Sequence, residues 1–157
     1  MIKSWMVIGG VTILVSLLSS LLRPRDIKWF KRLRRPSWLT FEAAIPIIWT
    51  TIFICGAWSA YIVWEKAPDS QPTWFLMGFY LLLELVTCAY TPVMLWVRSL
   101  KVGTMIGGTG VILGIILTLM VLPISGWAAL LLLPYLLWSP IGTFTTWQMQ
   151  QLNPDAT

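Results

Sequence analysis

Five long apolar runs, separated by short polar breaks, set the pattern of this chain: about 5–22, 43–64, 74–97, 102–122 and 127–147. A run of about 18 residues or more with few charges is long enough to cross a bilayer as a helix. Arg23-Pro24-Arg25 closes the first run, Glu65-Lys66-Ala67-Pro68-Asp69 the second and Arg98 the third. The expected fold is therefore an all-α membrane protein, one five-transmembrane-helix bundle over residues 1–157, with a single long loop at 23–42. The rival for the first run is a cleaved signal peptide, since Ser19 and Ser20 are small. No A-x-A site follows it, and a retained helix is the reading adopted.

Within the runs, helical periodicity assigns faces. At ~100° per residue Trp49, Phe53, Gly56 and Ala60 share one face of the second span, whose first turn holds Pro46. Such a face can wall a flat pocket or seat a neighbouring helix. In the third span Glu84 is the one acidic residue inside an apolar run, so it should face the bundle interior or a wet cavity. Thr87, Cys88 and Thr91 continue its stripe, and Tyr90 lies one turn from Thr87. A protonated Glu84 gluing two helices and a Glu84 touching a ligand both remain open. Gly103, Gly107, Gly110 and Gly114 give the fourth span a narrow small-residue face with two GxxxG spacings. It fits close packing against another helix of the chain or against a second protomer. The fifth span carries Pro134 and Pro140, and Tyr135, Trp138, Gly142 and Thr146 share a face.

Composition agrees with the pattern: 57% of the 157 residues are hydrophobic and 11% charged, against roughly 25% charged in soluble domains. The net charge of +5 would suit nucleic acid, but seven of the eleven Lys and Arg fall between Arg23 and Arg35, flanked by apolar spans. Membrane headgroups and the positive-inside rule explain that cluster, and nucleic acid is excluded as a partner. Nine basic residues (23, 25, 28, 31, 32, 34, 35, 98 and 101) lie after spans one and three, and only Lys3 and Lys66 lie on the other side. The amino terminus is thus expected outside, with the basic loop and the C-terminus cytoplasmic. Cys55 and Cys88 read as small core residues. There is no His, no metal site, no nucleophile–base pair and no cofactor loop, so no catalytic residue and no required cofactor are assigned.

The basic loop is also aromatic, and its order is specific. Trp29-Phe30…Leu33-Arg34-Arg35-Pro36-Ser37-Trp38, then Pro46…Trp49, Tyr90-Thr91-Pro92, Pro134-Tyr135-Leu136-Leu137-Trp138 and Leu152-Asn153 resemble, in that order, the blocks of the TspO/MBR family. These are tryptophan-rich sensory proteins and translocator (peripheral benzodiazepine receptor) proteins. The resemblance implies a five-helix bundle, commonly a homodimer, with a cavity closed over by the first long loop. It implies tetrapyrroles such as porphyrins as ligands, and in some members sterol-like or benzodiazepine-type compounds. Three departures bear on ligand preference. Thr87 and Tyr90 stand where the family has Asn and Trp, Thr146 where it often has Asn, and Leu39-Thr40-Phe41 where its loop is richer in Trp and Pro.

A flat, π-rich macrocycle edged by carboxylates needs aromatic walls and basic groups. The resemblance then implies Trp49 and Trp138 as walls, Phe53 and Tyr135 beside them, Thr87 and Tyr90 at the edge, and the loop from Trp29 to Trp38 as a lid, with Glu84 a polar neighbour. Trp5, Trp74, Trp96, Trp127 and Trp147 lie near span ends and read as interfacial belt. The function expected is a membrane receptor or carrier for tetrapyrroles, in stress sensing or transport. The alternatives are light-dependent porphyrin degradation, and lipid or sterol binding with no tetrapyrrole role.

Overall fold

The computed structural model describes residues 2–156 and, among these, contains helices and no strand. Helix α1 spans Ser4–Ser16 and runs on as a 3₁₀ turn, Leu17–Ser20. Then come α2 (Pro24–Lys31), a 3₁₀ turn (Glu42–Ala44), α3 (Ile45–Lys66), α4 (Gln71–Val97), α5 (Leu100–Val121), α6 (Gly126–Leu131), α7 (Leu133–Leu152) and a last 3₁₀ turn, Pro154–Ala156. Four units are long and apolar enough to cross a membrane: α3, α4, α5, and α6 with α7. The first span is the short one. Ser4 to Ser20 rises roughly 27 Å, just under a hydrocarbon core of about 30 Å, and α2 leaves it at a bend of 74°.

Four expectations need correction. The 23–42 segment is not all loop, because Pro24 starts an eight-residue helix that turns Asp26 inward and leaves Lys28 and Lys31 exposed. The third span begins at Gln71, where the Ser70 side chain accepts the Thr73 N–H and caps the helix. The fourth begins at Leu100, capped in the same way by Ser99 on Val102 after Arg98 turns left-handed with φ 51°. The fifth runs from Gly126 to Leu152 but breaks at Leu132, two residues before Pro134. A proline there lacks the N–H that would continue α6 and crowds the carbonyl one turn back.

Around the bundle α1 packs on α3 and α4, α3 on α6 and α7, and α5 between α7 and α4. Polarity is inverted relative to a soluble domain. Ser59, Thr73, Ser139, Thr145 and Thr146 are buried, while Ile47, Phe75, Ile112 and Leu119 stand on the outside. Hydrocarbon offers no partner to a hydroxyl, so polar side chains turn inward and pair there. Ser59 shows the pattern, donating to the Ala128 carbonyl at 2.7 Å and meeting the Tyr80 hydroxyl at 2.6 Å, which ties α3, α4 and α6 together.

The glycine face of α5 is occupied by the chain's own helices. A Cβ at Gly110 would fall 2.5 Å from the Tyr135 hydroxyl, at Gly114 2.6 Å from the Tyr135 ring, and at Gly107 2.5 Å from Thr143 Oγ1. At Gly103 it would strike the Met94 sulfur. Of the two packings open to this face, the structure thus takes the internal one, with α7 and α4 seated on it.

Candidate functional site

At the end of the bundle that carries the basic loop, α3, α4, α5 and α7 enclose an inner cavity of about 320 Å³. Each helix supplies one kind of wall. From α3 comes Trp49, from α4 Thr87 and Tyr90, from α7 Tyr135, Trp138 and Thr146, and α5 leaves room with Gly107 and Gly110. The glycines matter because any side chain there would meet Thr143 or Tyr135. Trp49 and Tyr135 are tilted rings with centroids 6.4 Å apart.

Hydrogen bonds order the polar edge. Tyr90 and Thr146 pair through their hydroxyls, Thr146 also donates to the Gly142 carbonyl, and Thr87 reaches the Tyr135 hydroxyl at 3.4 Å. Tyr90 and Thr146, two of the departures from the blocks that the sequence resembles, are partners. Two further atoms stand out. Trp138 Nε1 and Thr143 Oγ1 are buried, lie on residues lining the cavity, and have no hydrogen-bond partner among the described residues. A buried polar group left so costs about 1–3 kcal/mol.

The loop lies over this cavity. Phe30, Leu39 and Glu42 reach its lining. Arg35 holds their arrangement: its Nη1 donates to the carbonyls of Phe30 and Leu33, both at 2.7 Å, its Nε lies 3.4 Å from Glu42, and its guanidinium sits 4.7 Å over the Phe30 ring. The Asn153 side chain fastens the loop to the end of α7. It accepts the Arg34 N–H at 2.9 Å and donates to the Arg34 carbonyl at 3.0 Å. Trp38 stacks on Phe144 and donates to Gln148, and Phe41 meets Trp138 edge-on at 6.1 Å.

At the base of α2 the buried Asp26 carboxylate bridges Arg23 (2.6 Å) and Arg98 (3.1 Å), locking the loop to the α4–α5 turn. Burial pushes its pKa up, but the hydrogen bonds and charges of the two arginines outweigh that and hold it below the usual carboxylate value.

Of the residues singled out in the sequence, Trp49, Thr87, Tyr90, Tyr135 and Trp138 meet at this cavity. Trp38 lies in the lid, outside the lining. Trp29 packs instead with Met94, Leu95, Leu100 and Met149, anchoring α2. Phe53 and Glu84 line a different space, an outer chamber of about 610 Å³ between α1, α3 and α4. Thr87 and Tyr135 border both. Trp5, Trp74, Trp96, Trp127 and Trp147 are all exposed, as belt residues should be, whereas Trp138 is 8% exposed. Trp96 has a second task, donating to the Leu21 carbonyl at 3.0 Å. Sequence reasoning missed Phe30, Glu42, Ser139 and Thr143 as lining residues. Thr143 carried a usable signal, one residue after Gly142 and opposite the glycine face of α5.

Residues 7–152 match the TspO/MBR family. The chain is 29% identical over 152 residues to the tryptophan-rich protein TspO of Bacillus cereus, covering 96% of this chain and 97% of that one. It is 24% identical over 131 residues to the protein CrtK of Rhodobacter capsulatus, covering 80% and 79%. To translocator protein 2 of Mus musculus it is 26% identical over 120 residues, covering 74% and 73%.

Proposed function

Because the chain belongs to the TspO/MBR family of membrane proteins, we propose that it is a receptor or carrier that takes a tetrapyrrole into the inner cavity. The observation that carries this reading is the pair of unpartnered atoms, Trp138 Nε1 and Thr143 Oγ1, in a wall shared with Trp49, Tyr90 and Tyr135. The rings offer π-faces to a flat guest, and the two polar atoms offer it hydrogen bonds that the protein leaves unmade. At about 320 Å³ the cavity is at the small end for ligand sites. A macrocycle therefore enters with the lid raised, and its carboxylates point toward the exposed Lys31, Arg32 and Arg34 rather than toward Glu42. The basic loop faces the cytoplasm, in keeping with the charge asymmetry. A homodimer would use surfaces other than the glycine face of α5, which α7 covers.

Absorption spectra of the purified protein with protoporphyrin, taken in darkness and in light, test the reading. A shifted, stable Soret band that weakens in Trp138→Ala is the expected result. Loss of the band only in light would assign porphyrin degradation instead. No shift, together with saturable sterol binding, would leave a lipid or sterol protein.

A further inference from the structure

We propose that the outer chamber is a second binding site, selective for lipophilic amines: an apolar body carrying one protonated nitrogen. The chamber holds about 610 Å³ and is lined by apolar side chains such as Val7, Ile52, Phe53 and Leu83. Its polar groups are nearly all committed within the protein. The Tyr80 hydroxyl pairs with Ser59, Thr87 reaches Tyr135, and Ser4 donates to Glu65 at 2.6 Å. Glu84 is the exception. Its polar partner is Thr12, across on α1. One hydroxyl satisfies one of roughly four acceptor positions on a carboxylate. The remaining positions face a low-dielectric space, where a cation with N–H donors is the best-matched guest.

The lining suits a cation in a second way. Phe53 stands among the wall residues, and Trp64 and Trp74, edge-to-face at 4.9 Å, line the far end of the chamber, where they meet the apolar body of a guest rather than its charge. Aromatic faces attract ammonium groups as well as apolar bodies. Lys3 also lines the chamber, at its outer end, but it lies nine residues from Thr12 along α1, roughly 13 Å by helical rise. Its charge sits at the rim and does not reach the carboxylate. The space is open rather than held open by packing, since a Cβ at Gly56 or Gly78, both in the lining, would meet nothing within 4 Å.

The test compares phenylbutylamine with phenylbutanol, which has the same body without the charge. The full-length protein is held in phosphatidylcholine nanodiscs, and binding is read by equilibrium dialysis against empty discs. The amine should bind saturably and at least about tenfold more tightly than the alcohol. Glu84→Gln should bring the amine down to the alcohol's level while leaving protoporphyrin binding in the inner cavity unchanged, so this site stands or falls separately from that one. Gly78→Leu, which takes up part of the chamber without touching the carboxylate, should weaken amine and alcohol binding together, and it keeps the proposal testable even where Glu84→Gln fails to fold. Equal affinity for amine and alcohol, or amine binding unaltered by either substitution, overturns the proposal.

Discussion

The two cavities share a wall at Tyr135 and Thr87 and differ in almost everything else. The inner one is small and roofed by a segment tied down from distant parts of the chain: Arg34 to Asn153, Trp38 to Gln148, Asp26 to Arg98. The outer one is about twice as large, takes its carboxylate, Glu84, from within a span, and has α1, the shortest span, as one wall. Helices leave gaps where glycines line a space with no neighbour against them, as at Gly56 and Gly78. Over the inner cavity a lid held by polar contacts covers part of such a gap. What separates a candidate receptor cavity from a groove in this molecule is thus the loop, more than the helices beneath it.

Glycine substitutions give the sharpest contrast. Gly110→Leu drives a side chain into Tyr135 and should cost roughly 3 kcal/mol or abolish folding, because overpacking at a helix–helix seam forces the backbones apart. Gly78→Leu, the same change facing the outer chamber, should stay within about 0.5 kcal/mol. Denaturation in detergent measures both. Equal tolerance would mean that α7 does not seat on the α5 glycine face, and the division into two cavities would fail with it.

Ligand binding is the next contrast. Trp138→Ala removes both buried ring and indole N–H, and it should weaken protoporphyrin binding by at least about tenfold, or ~1.4 kcal/mol. Trp96→Phe, on the lipid-facing side, should leave affinity within about twofold, or ~0.4 kcal/mol. If both substitutions weaken binding alike with the fold intact, porphyrin is adsorbing to exposed tryptophans. Thr87→Asn, restoring the family's usual residue, probes the shared wall, and a gain in affinity would identify Thr87 as a ligand-tuning position.

Spans and faces could be read from the sequence because they depend on local quantities. Run length marked five apolar runs, of which four form helices long and apolar enough to cross a membrane, and the periodicity that paired Tyr135 with Trp138 and set out the Gly103–Gly114 stripe holds in the structure. Depth could not be read that way. Trp49 and Phe53 share a face, yet one turn of helix, about 5.4 Å, carries Phe53 out of the inner lining into the chamber beyond. Glu84 and Thr87 sit on one stripe, but Glu84 turns toward Thr12 on α1, a contact no single-helix argument contains. Helix α2 was missed for a different reason. Eight residues with four charges look like a loop by hydropathy, and only Asp26, paired with Arg98 seventy-two positions away, makes the inward face worth forming.

Loosening the lid without touching the lining should give a smaller effect. Asn153→Ala removes two side-chain bonds to Arg34 and one to Met149, each worth about 1 kcal/mol at most when half-exposed. The loop should then become cleavable by protease between Arg32 and Thr40, and porphyrin should leave faster. Amine binding in the outer chamber should not change. A loop still resistant to cleavage would show that Arg35 and Trp38 suffice to hold it.

The smallest effect expected is on acid response, and it too should separate the lid from the helices. Asp26 has a folded-state pKa below the ordinary 3.8, since the hydrogen bonds and charges of Arg23 and Arg98 favour the carboxylate more than burial penalises it. A depressed pKa means that the contribution is fully present above the unfolded value and fades as pH falls through the folded one. At neutral pH the lock is therefore complete, and it opens only below about pH 3.8. In that window the wild-type loop should grow more sensitive to an acid protease, while helix content stays constant. Asp26→Asn keeps the shape but not the charge, so its loop should be loose already at neutral pH and show less further change on acidification. A loop whose acid response is the same in both proteins would show that Asp26 is not the group whose protonation opens the lock.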